Sequence, residues 1–264
     1  MLQEIRPLEG CSNWLGLWTL YAREVRRFVK VQTQTVWAPV VTTLLFLAVF
    51  ALALGAEGRM VDGMPFLKFL APGLVVMAMA QNAFANTSSS VVIAKVQGNI
   101  VDTLMPPLTA HELTFALAMG GATRGIVVGF AVSAAMIPFA PLSVEHWGYV
   151  AYHGFMGSLM LSLMGTAGGI WSVKFDHIAA VTNFVVTPAA FLSGTFYSIR
   201  HLPEPAQWIA HANPFFYMID GFRYGFVGRS DGDPLVGVVV MAAANAALWA
   251  LCRRMFATGY KLKA

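Results

Sequence analysis

Arg124 is the residue whose type and position most plainly ask for chemistry. It lies inside the apolar run LTFALAMGGATRGIVVGFAVSAAMI, and a charged side chain at a bilayer centre costs at least about 2.5–3.5 kcal/mol. It must therefore face a bundle interior, a wet cavity or another subunit. Two readings are open: a contact on a transport path, or a long side chain that snorkels to the inner surface because the span begins later. No acidic residue stands at matching depth in the sequence to pair with it. A second stretch, KVQGNIVDTLMPPLTAHEL, is a polar island between two apolar runs and carries Lys95, Asp102, His111 and Glu112. Thr109 followed by Glu112 matches the capping box S/T-x-x-E, which places a helix start near Thr109. Pro106 and Pro107 hold the preceding backbone extended. Upstream, Val96, Ile100, Val101 and Leu104 share a helical face that excludes Gln97, Asn99 and Asp102. The island reads as a short amphipathic helix, a Pro-Pro turn and a capped helix.

Other reactive patterns are absent. There is no G-x-x-x-x-G-K-[ST] loop, so no nucleotide site of that kind, and no H-E-x-x-H or C-x-x-C. The histidines, His111, His146, His153, His177, His201 and His211, are scattered, which argues against a closed metal site. No catalytic residue and no metal ligand is assigned.

The elements that must hold these residues follow from composition. The chain is 57% hydrophobic and 11% charged, against about 25% charged in soluble domains, and its mean hydropathy is +0.63. The expected fold class is all-α, a single polytopic membrane domain over 1–264. Six apolar runs are long enough to span a bilayer: 36–55, 69–91, 113–137, 147–172, 178–197 and 235–252. The second ends in the polar stretch NTSSS. With the N-terminus inside, cytoplasmic segments hold eleven Lys and Arg and external segments five, so both termini are expected in the cytoplasm. The formal charge of +4 is then a topology signal and not a nucleic-acid footprint. No cleavable leader is expected, and Cys11 and Cys252, one toward each end, are expected as free thiols.

Residues 13–33 read as a basic amphipathic helix lying on the inner surface. Leu17, Leu20, Tyr21, Val25 and Phe28 form its apolar face, with Arg23, Arg26, Arg27 and Lys30 mostly elsewhere. This helix anchors to lipid, and Arg23, Arg26 and Arg27 are candidates for a partner contact. Gly121, Gly125 and Gly129 in the third run, and Gly165 and Gly169 in the fourth, recur every four residues, which lets another backbone approach. The outer segment 198–234 is rich in aromatics, including Trp208, Phe215, Phe216, Tyr217, Phe222, Tyr224 and Phe226, and is broken by Pro203, Pro205 and Pro214. One or two short helices dipping into the outer interface are expected there.

Together these features resemble the ABC-2 family of ATP-binding-cassette permeases, and its bacterial NodJ/YadH-like branch in particular. The island is similar to that family's Lys-x-x-Gly-(Thr/Asn)-Ile-x-x-Leu-x-x-x-Pro-Leu-(Ser/Thr) segment. The stretch Phe191–Gly228 is similar to its signature with Asn213-Pro214 and then Asp220-Gly221-x-Arg223. One departure is Lys95-Val96-Gln97, where members of the family often have Glu-Arg or Glu-Lys ahead of the glycine. The resemblance implies that the first-loop helix is a coupling helix seated on a separate ATPase subunit, through Lys95, Gly98, Asn99, Ile100 and Asp102. It implies a second permease subunit, as homodimer or paralogue, and ATP and Mg used by the ATPase and not by this chain. Localisation would be the bacterial inner membrane. The expected function is export of an amphipathic, drug-like or lipid-linked compound. The rivals are export of a capsular or O-antigen polysaccharide, an ATP-independent carrier, or a membrane enzyme; the last two predict ionisable residues at midplane.

Overall fold

The structure is a computed structural model, and it describes residues 13–52, 60–61, 63–140 and 142–262. Cys11, Arg59, Lys263 and positions 53–55 of the first apolar run lie outside the described residues.

Helix α1 (Trp14–Lys30) begins where Asn13 Oδ1 accepts the Gly16 N–H at 2.9 Å, and it buries Leu17, Leu20, Glu24 and Phe28. The expected apolar face is present, with Tyr21 and Val25 only half-buried. The centre of that face is a carboxylate: Glu24 is 1% exposed. It fits because the facing residue on α5 (Ala110–Met136) is Gly120, where a β-carbon would stand 2.6 Å from Glu24 Cβ.

The bundle is built on α3 (Phe66–Val96), 31 residues long. This helix runs through the NTSSS stretch and five residues past the expected end at 91, because the hydroxyls of that stretch bond back to the preceding turn. Ser88 Oγ donates to Phe84 O at 2.7 Å and Ser89 Oγ to Ala85 O at 2.6 Å. At about 1.5 Å per residue these 31 residues reach about 46 Å, longer than a hydrocarbon core of about 30 Å. Helix α5 starts at its capping box, with Thr109 and Glu112 in the reciprocal arrangement that the sequence indicates. The expected glycines Gly121, Gly125 and Gly129 of α5, and Gly165 and Gly169 of α6 (Trp147–Trp171), all face α3. A β-carbon at Gly125 would stand 2.8 Å from Met79 O, one at Gly165 2.5 Å from Phe84 O, and one at Gly169 2.8 Å from Val91 Cβ.

Among the described residues five helical stretches are long and apolar enough to cross a membrane: Thr33–Phe50, Phe66–Val96, Ala110–Met136, Phe175–Leu192 and Pro234–Thr258. Helix α6 has 25 residues and no charged side chain, but glycine, serine and histidine lower its hydropathy. Its surroundings account for that composition. Ser162 Oγ donates to Ala118 O at 2.7 Å, Asn245 Nδ2 to Met156 O at 3.0 Å, and Tyr152 OH to Val238 O at 2.7 Å. Such a helix sits among helices and hydrogen-bonds to them.

Two stretches are thinly packed. In Thr33–Phe50, 22% of the apolar window is buried, and in Phe175–Leu192 11%, against 72% in α3. Both carry a π turn before a proline. The Ala38 N–H bonds to Thr33 O ahead of Pro39 in α2 (Ala38–Phe50), and the Thr187 N–H to Thr182 O ahead of Pro188. Proline has no N–H to give and crowds the carbonyl four residues back; the wider turn relieves that crowding. The second π turn joins α7 (Phe175–Val181) to α8 (Thr187–Leu192). Helix α8 ends at Leu192, short of the expected 197, and Gly194 follows with φ of +74°.

The aromatic segment folds as α9 (Glu204–His211) and α10 (Pro214–Val227). Trp208 is exposed, whereas Phe215, Phe216, Phe222 and Phe226 are buried. Four of the seven rings expected at headgroup level therefore pack as core. Helix α11 (Pro234–Thr258) extends six residues past its expected end at 252. Cys252 is consequently a buried helical residue, with its thiol toward Leu163 O at 3.3 Å. At the same end of the molecule as α9, a two-residue antiparallel ladder pairs Met60 with Pro65 and Val61 with Met64.

Candidate functional site

The richest polar constellation joins α1 to the ends of α3 and α5 and to α4 (Ile100–Leu104). Glu24 is its hub. Oε1 accepts Ser90 Oγ at 2.8 Å and Arg23 at 3.4 Å, and Oε2 pairs with Arg27 at 3.3 Å. Arg27 also donates to Ser89 Oγ at 3.1 Å, to Asn86 Oδ1 at 3.1 Å and to the Asn86 carbonyl. Burial holds the Arg27 guanidinium below its ordinary pKa, with Glu24 opposing. Arg23 reaches across to Thr103 Oγ1 of α4 at 3.1 Å. One carboxylate thereby ties α1 to α3 and, through Arg23, to α4. Arg26 is exposed and joins none of these contacts.

A second clamp sits at the start of α5. Glu112 Oε2 accepts the Thr109 N–H at 2.7 Å, and Oε1 accepts the Asn13 N–H at 2.8 Å. The same carboxylate thus caps α5 and holds the first residue before α1. Between these clamps a groove of about 320 Å³ runs along α1 and α4, lined by Gly16, Thr19, Arg23, Asp102, Thr103 and Pro106 among others.

The island residues divide within this corner. Ile100 is buried, while Gly98, Asn99 and Asp102 are exposed. Gly98 takes φ of +76° between α3 and α4, with open space around it. The expected apolar face is narrower than its spacing suggested: Ile100 and Thr103 are buried, and Val96 and Val101 are exposed. The left-handed residue breaks the helical register between Val96 and Ile100. Lys95 points elsewhere, and its Nζ donates to Ile170 O and Ser172 O, both at 2.6 Å, closing the C-terminal end of α6.

Arg124 lies one turn beyond Gly120, deeper in the bundle than Glu24. Its partner is neutral: a terminal NH2 donates to Asn82 Oδ1 at 2.8 Å. Asn82 and Gln81 line two adjoining clefts. One of about 430 Å³ lies between α3 and the α7–α8 stretch, and one of about 400 Å³ continues along α2 to Phe46, Phe191 and Phe196.

At the opposite end the Asn213–Arg223 signature forms a latch. Asn213 caps α10, and its Nδ2 donates to Ala189 O at 2.9 Å and Ser193 Oγ at 2.8 Å. Arg223 donates to Gly194 O at 2.7 Å and lies 3.8 Å above the Phe69 ring. Asp220 accepts the N–H groups of Asp231 at 2.8 Å and Gly232 at 3.0 Å. Burial pushes its carboxyl above the usual carboxylate range, against those two donors and Arg223. At Gly221 a β-carbon would collide with the His153 ring. Asp231 accepts Ser198 Oγ at 2.9 Å and the Ile199 N–H at 3.0 Å. Residues 228–232, GRSDG, fit G-x-S-x-G. Its context is a loop between two helices and not a strand-to-helix elbow. Ser230 Oγ donates to Gly232 O at 2.6 Å, so the geometry gives no nucleophile–base pair.

A helical bundle with several stretches able to cross a membrane, a polar-knotted corner at one end and a latched segment at the other, is the architecture of an all-α polytopic membrane protein. Residues 16–227 match the family described as ABC-2 type transporter, and the chain belongs to it. It is 37% identical over 246 residues to the inner membrane transport permease YadH of Escherichia coli (strain K12), covering 91% of this chain and 96% of that one. It is 24% identical over 229 residues to nodulation protein J of Sinorhizobium fredii (strain NBRC 101917 / NGR234), covering 83% of each. A similar match, 24% over 225 residues, is to nodulation protein J of Rhizobium leguminosarum bv. viciae, covering 83% of this chain and 84% of that one.

Proposed function

We propose that this chain is the permease subunit of an inner-membrane ABC exporter, driven by a separate ATPase that uses ATP and Mg. The observation that carries the reading is the corner of α1, α4 and the start of α5. It is rigid, being knotted by Glu24 and Glu112, and it presents a polar groove with Asp102 exposed on its rim. A chain with no Gly-Lys-(Ser/Thr) phosphate loop in its sequence does active work only by taking motion from a partner. A stiff, solvent-facing helix under the spans receives such motion better than a loose connector does. The excess of Lys and Arg at that end supports a cytoplasmic placement of both termini. Gly98, Asn99, Ile100 and Asp102 form the contact, and Arg23 ties it to α1.

Two such chains, identical or paralogous, surround the path, because a symmetric ATPase dimer needs two receivers. The thinly packed α2 and α7–α8 stretches flank the clefts on Gln81 and Asn82 and give the path its walls. A polar floor beside apolar walls suits an amphipathic or lipid-linked substrate moving outward. ATP-driven closure then biases a two-state arrangement of the bundle. The test is co-purification from the native host, wild type against Gly98→Trp/Asp102→Arg. An ATP-binding-cassette ATPase, identified by mass spectrometry, is expected with the wild type and lost with the variant. Equal recovery from both would sink the assignment of the contact, and recovery from neither would sink the permease reading.

A further inference from the structure

The cleft of about 400 Å³ along α2 collects polar side chains that the bundle leaves unused. Gln81 is the middle residue of α3 and is exposed, and its amide has no hydrogen-bond partner among the described residues. Gln34, in the π turn Thr33–Trp37, and Thr42 of α2 line the same cleft and are likewise exposed without a side-chain partner among the described residues. The remaining polar groups there are committed. Thr43 Oγ1 donates to Pro39 O at 2.7 Å. Asn82 gives its Nδ2 to Ala78 O at 3.0 Å, and its Oδ1 accepts Arg124 at 2.8 Å. Asn82 thus stands between Arg124 and the cleft, and no charged side chain among the described residues lines it. Phe46, Phe191 and Phe196 supply its aromatic wall, the last two stacked at 5.2 Å. A primary amide at the middle of a 31-residue helix lies at hydrocarbon depth, where unmet donors and acceptors are expensive.

We infer that this cleft binds the uncharged, hydrogen-bonding headgroup of an amphiphile through Gln34, Thr42 and Gln81, with the apolar part along Phe46, Phe191 and Phe196. The inference rests on the permease reading above and names the substrate class of that path. Amide and hydroxyl side chains both donate and accept, so they match a headgroup of hydroxyls or amides, whose groups also do both. A charged headgroup finds no counter-ion among the lining residues and gives up its hydration there. The other claimant for the Gln81 amide is a second copy of the chain across the path, and binding and particle mass tell the two apart.

The test uses purified full-length protein in phosphatidylcholine nanodiscs, which keep sugar-headed detergents out of the cleft. Three radiolabelled probes share one octyl chain: octyl glucoside, octyl sulfate and octyltrimethylammonium, with empty nanodiscs as the blank. Wild type is expected to bind octyl glucoside about tenfold tighter than either charged probe, the size of one or two neutral hydrogen bonds. Gln81→Leu, an apolar change suited to hydrocarbon depth, abolishes that preference, and the isosteric Thr42→Val reduces it. Phe46→Ala weakens binding of all three probes. A preference undiminished in Gln81→Leu or Thr42→Val, or a preference for either charged probe, overturns the proposal. Free glucose matching octyl glucoside in affinity overturns it too, since the site would then hold a soluble sugar. So does a Gln81→Leu variant that splits a two-chain particle and binds as wild type does, because the amide would then be a subunit contact. ATPase co-purification from the native host, scored on the same variants, separates the two claims. An absent headgroup preference with the ATPase retained rejects the headgroup site alone, and an absent ATPase rejects the permease reading.

Discussion

Glu24→Met removes the carboxylate at the hub of α1 and leaves a side chain of similar size. Arg27, a third exposed at 32%, then loses its counter-ion while keeping its bonds to Asn86 and Ser89, and Ser90 Oγ loses its acceptor. Breaking a buried ion pair from one side costs about 3–5 kcal/mol. The low end applies here, because Arg27 and Arg23 are 32% and 48% exposed and water screens part of the loss. About 3 kcal/mol corresponds to roughly a 150-fold shift in the equilibrium between docked and detached α1. Amide hydrogen exchange in detergent should therefore report a fall of about that size in α1 protection, confined to α1 and α4. Glu24→Met/Arg27→Met should recover most of the protection, since an apolar pair leaves no orphaned charge. Protection unchanged in the single variant, or a double variant as loose as the single, would refute the hub.

Gly165→Val drives a side chain into the α3 backbone, 2.5 Å from Phe84 O; overpacking of this kind costs about 1–3 kcal/mol and should lower Tm, whereas an unchanged Tm would remove the close α3–α6 contact. Gly98→Ala meets open space but φ of +76° and should cost about 1 kcal/mol, while Gly148→Ala, with no neighbour within 4 Å and no special φ, should stay within about 0.5 kcal/mol; paired denaturation curves check the difference. Pro188→Ala restores an amide N–H, so exchange across Thr182–Val186 should slow and transport should fall as the wide turn tightens; identical exchange in both proteins would leave the π turn without a role.

Part of this architecture was legible and part was not, for physical reasons. The Thr109–Glu112 cap was readable because its partners are three residues apart and its geometry is local. The glycine spacing showed that something approaches α5 and α6 closely, but only the fold shows that the partner is α3, whose NTSSS stretch looks like a helix end until its hydroxyls are seen turned onto their own backbone. Glu24 was missed because an acid on an apolar stripe looks like a surface residue unless the facing Gly120 and the two arginines are known. Arg124 has no acid at its depth in the sequence, and its partner Asn82 is a neutral amide on another helix that spacing alone does not point to. Lys95 fell inside the motif but caps α6, a contact made across 75 residues. The aromatic segment suggested an interface by composition; burial of Phe215, Phe216, Phe222 and Phe226 made it core.

The most direct test of the account is a photo-crosslinking amino acid placed at Asp102, with a second placed at Trp208 as control. Both positions are exposed, at opposite ends of the molecule. The account predicts that the Asp102 probe captures an ABC ATPase, identified by mass spectrometry, and that the Trp208 probe captures none. Capture at Trp208, or no ATPase at Asp102 in cells that express the transporter, would contradict it.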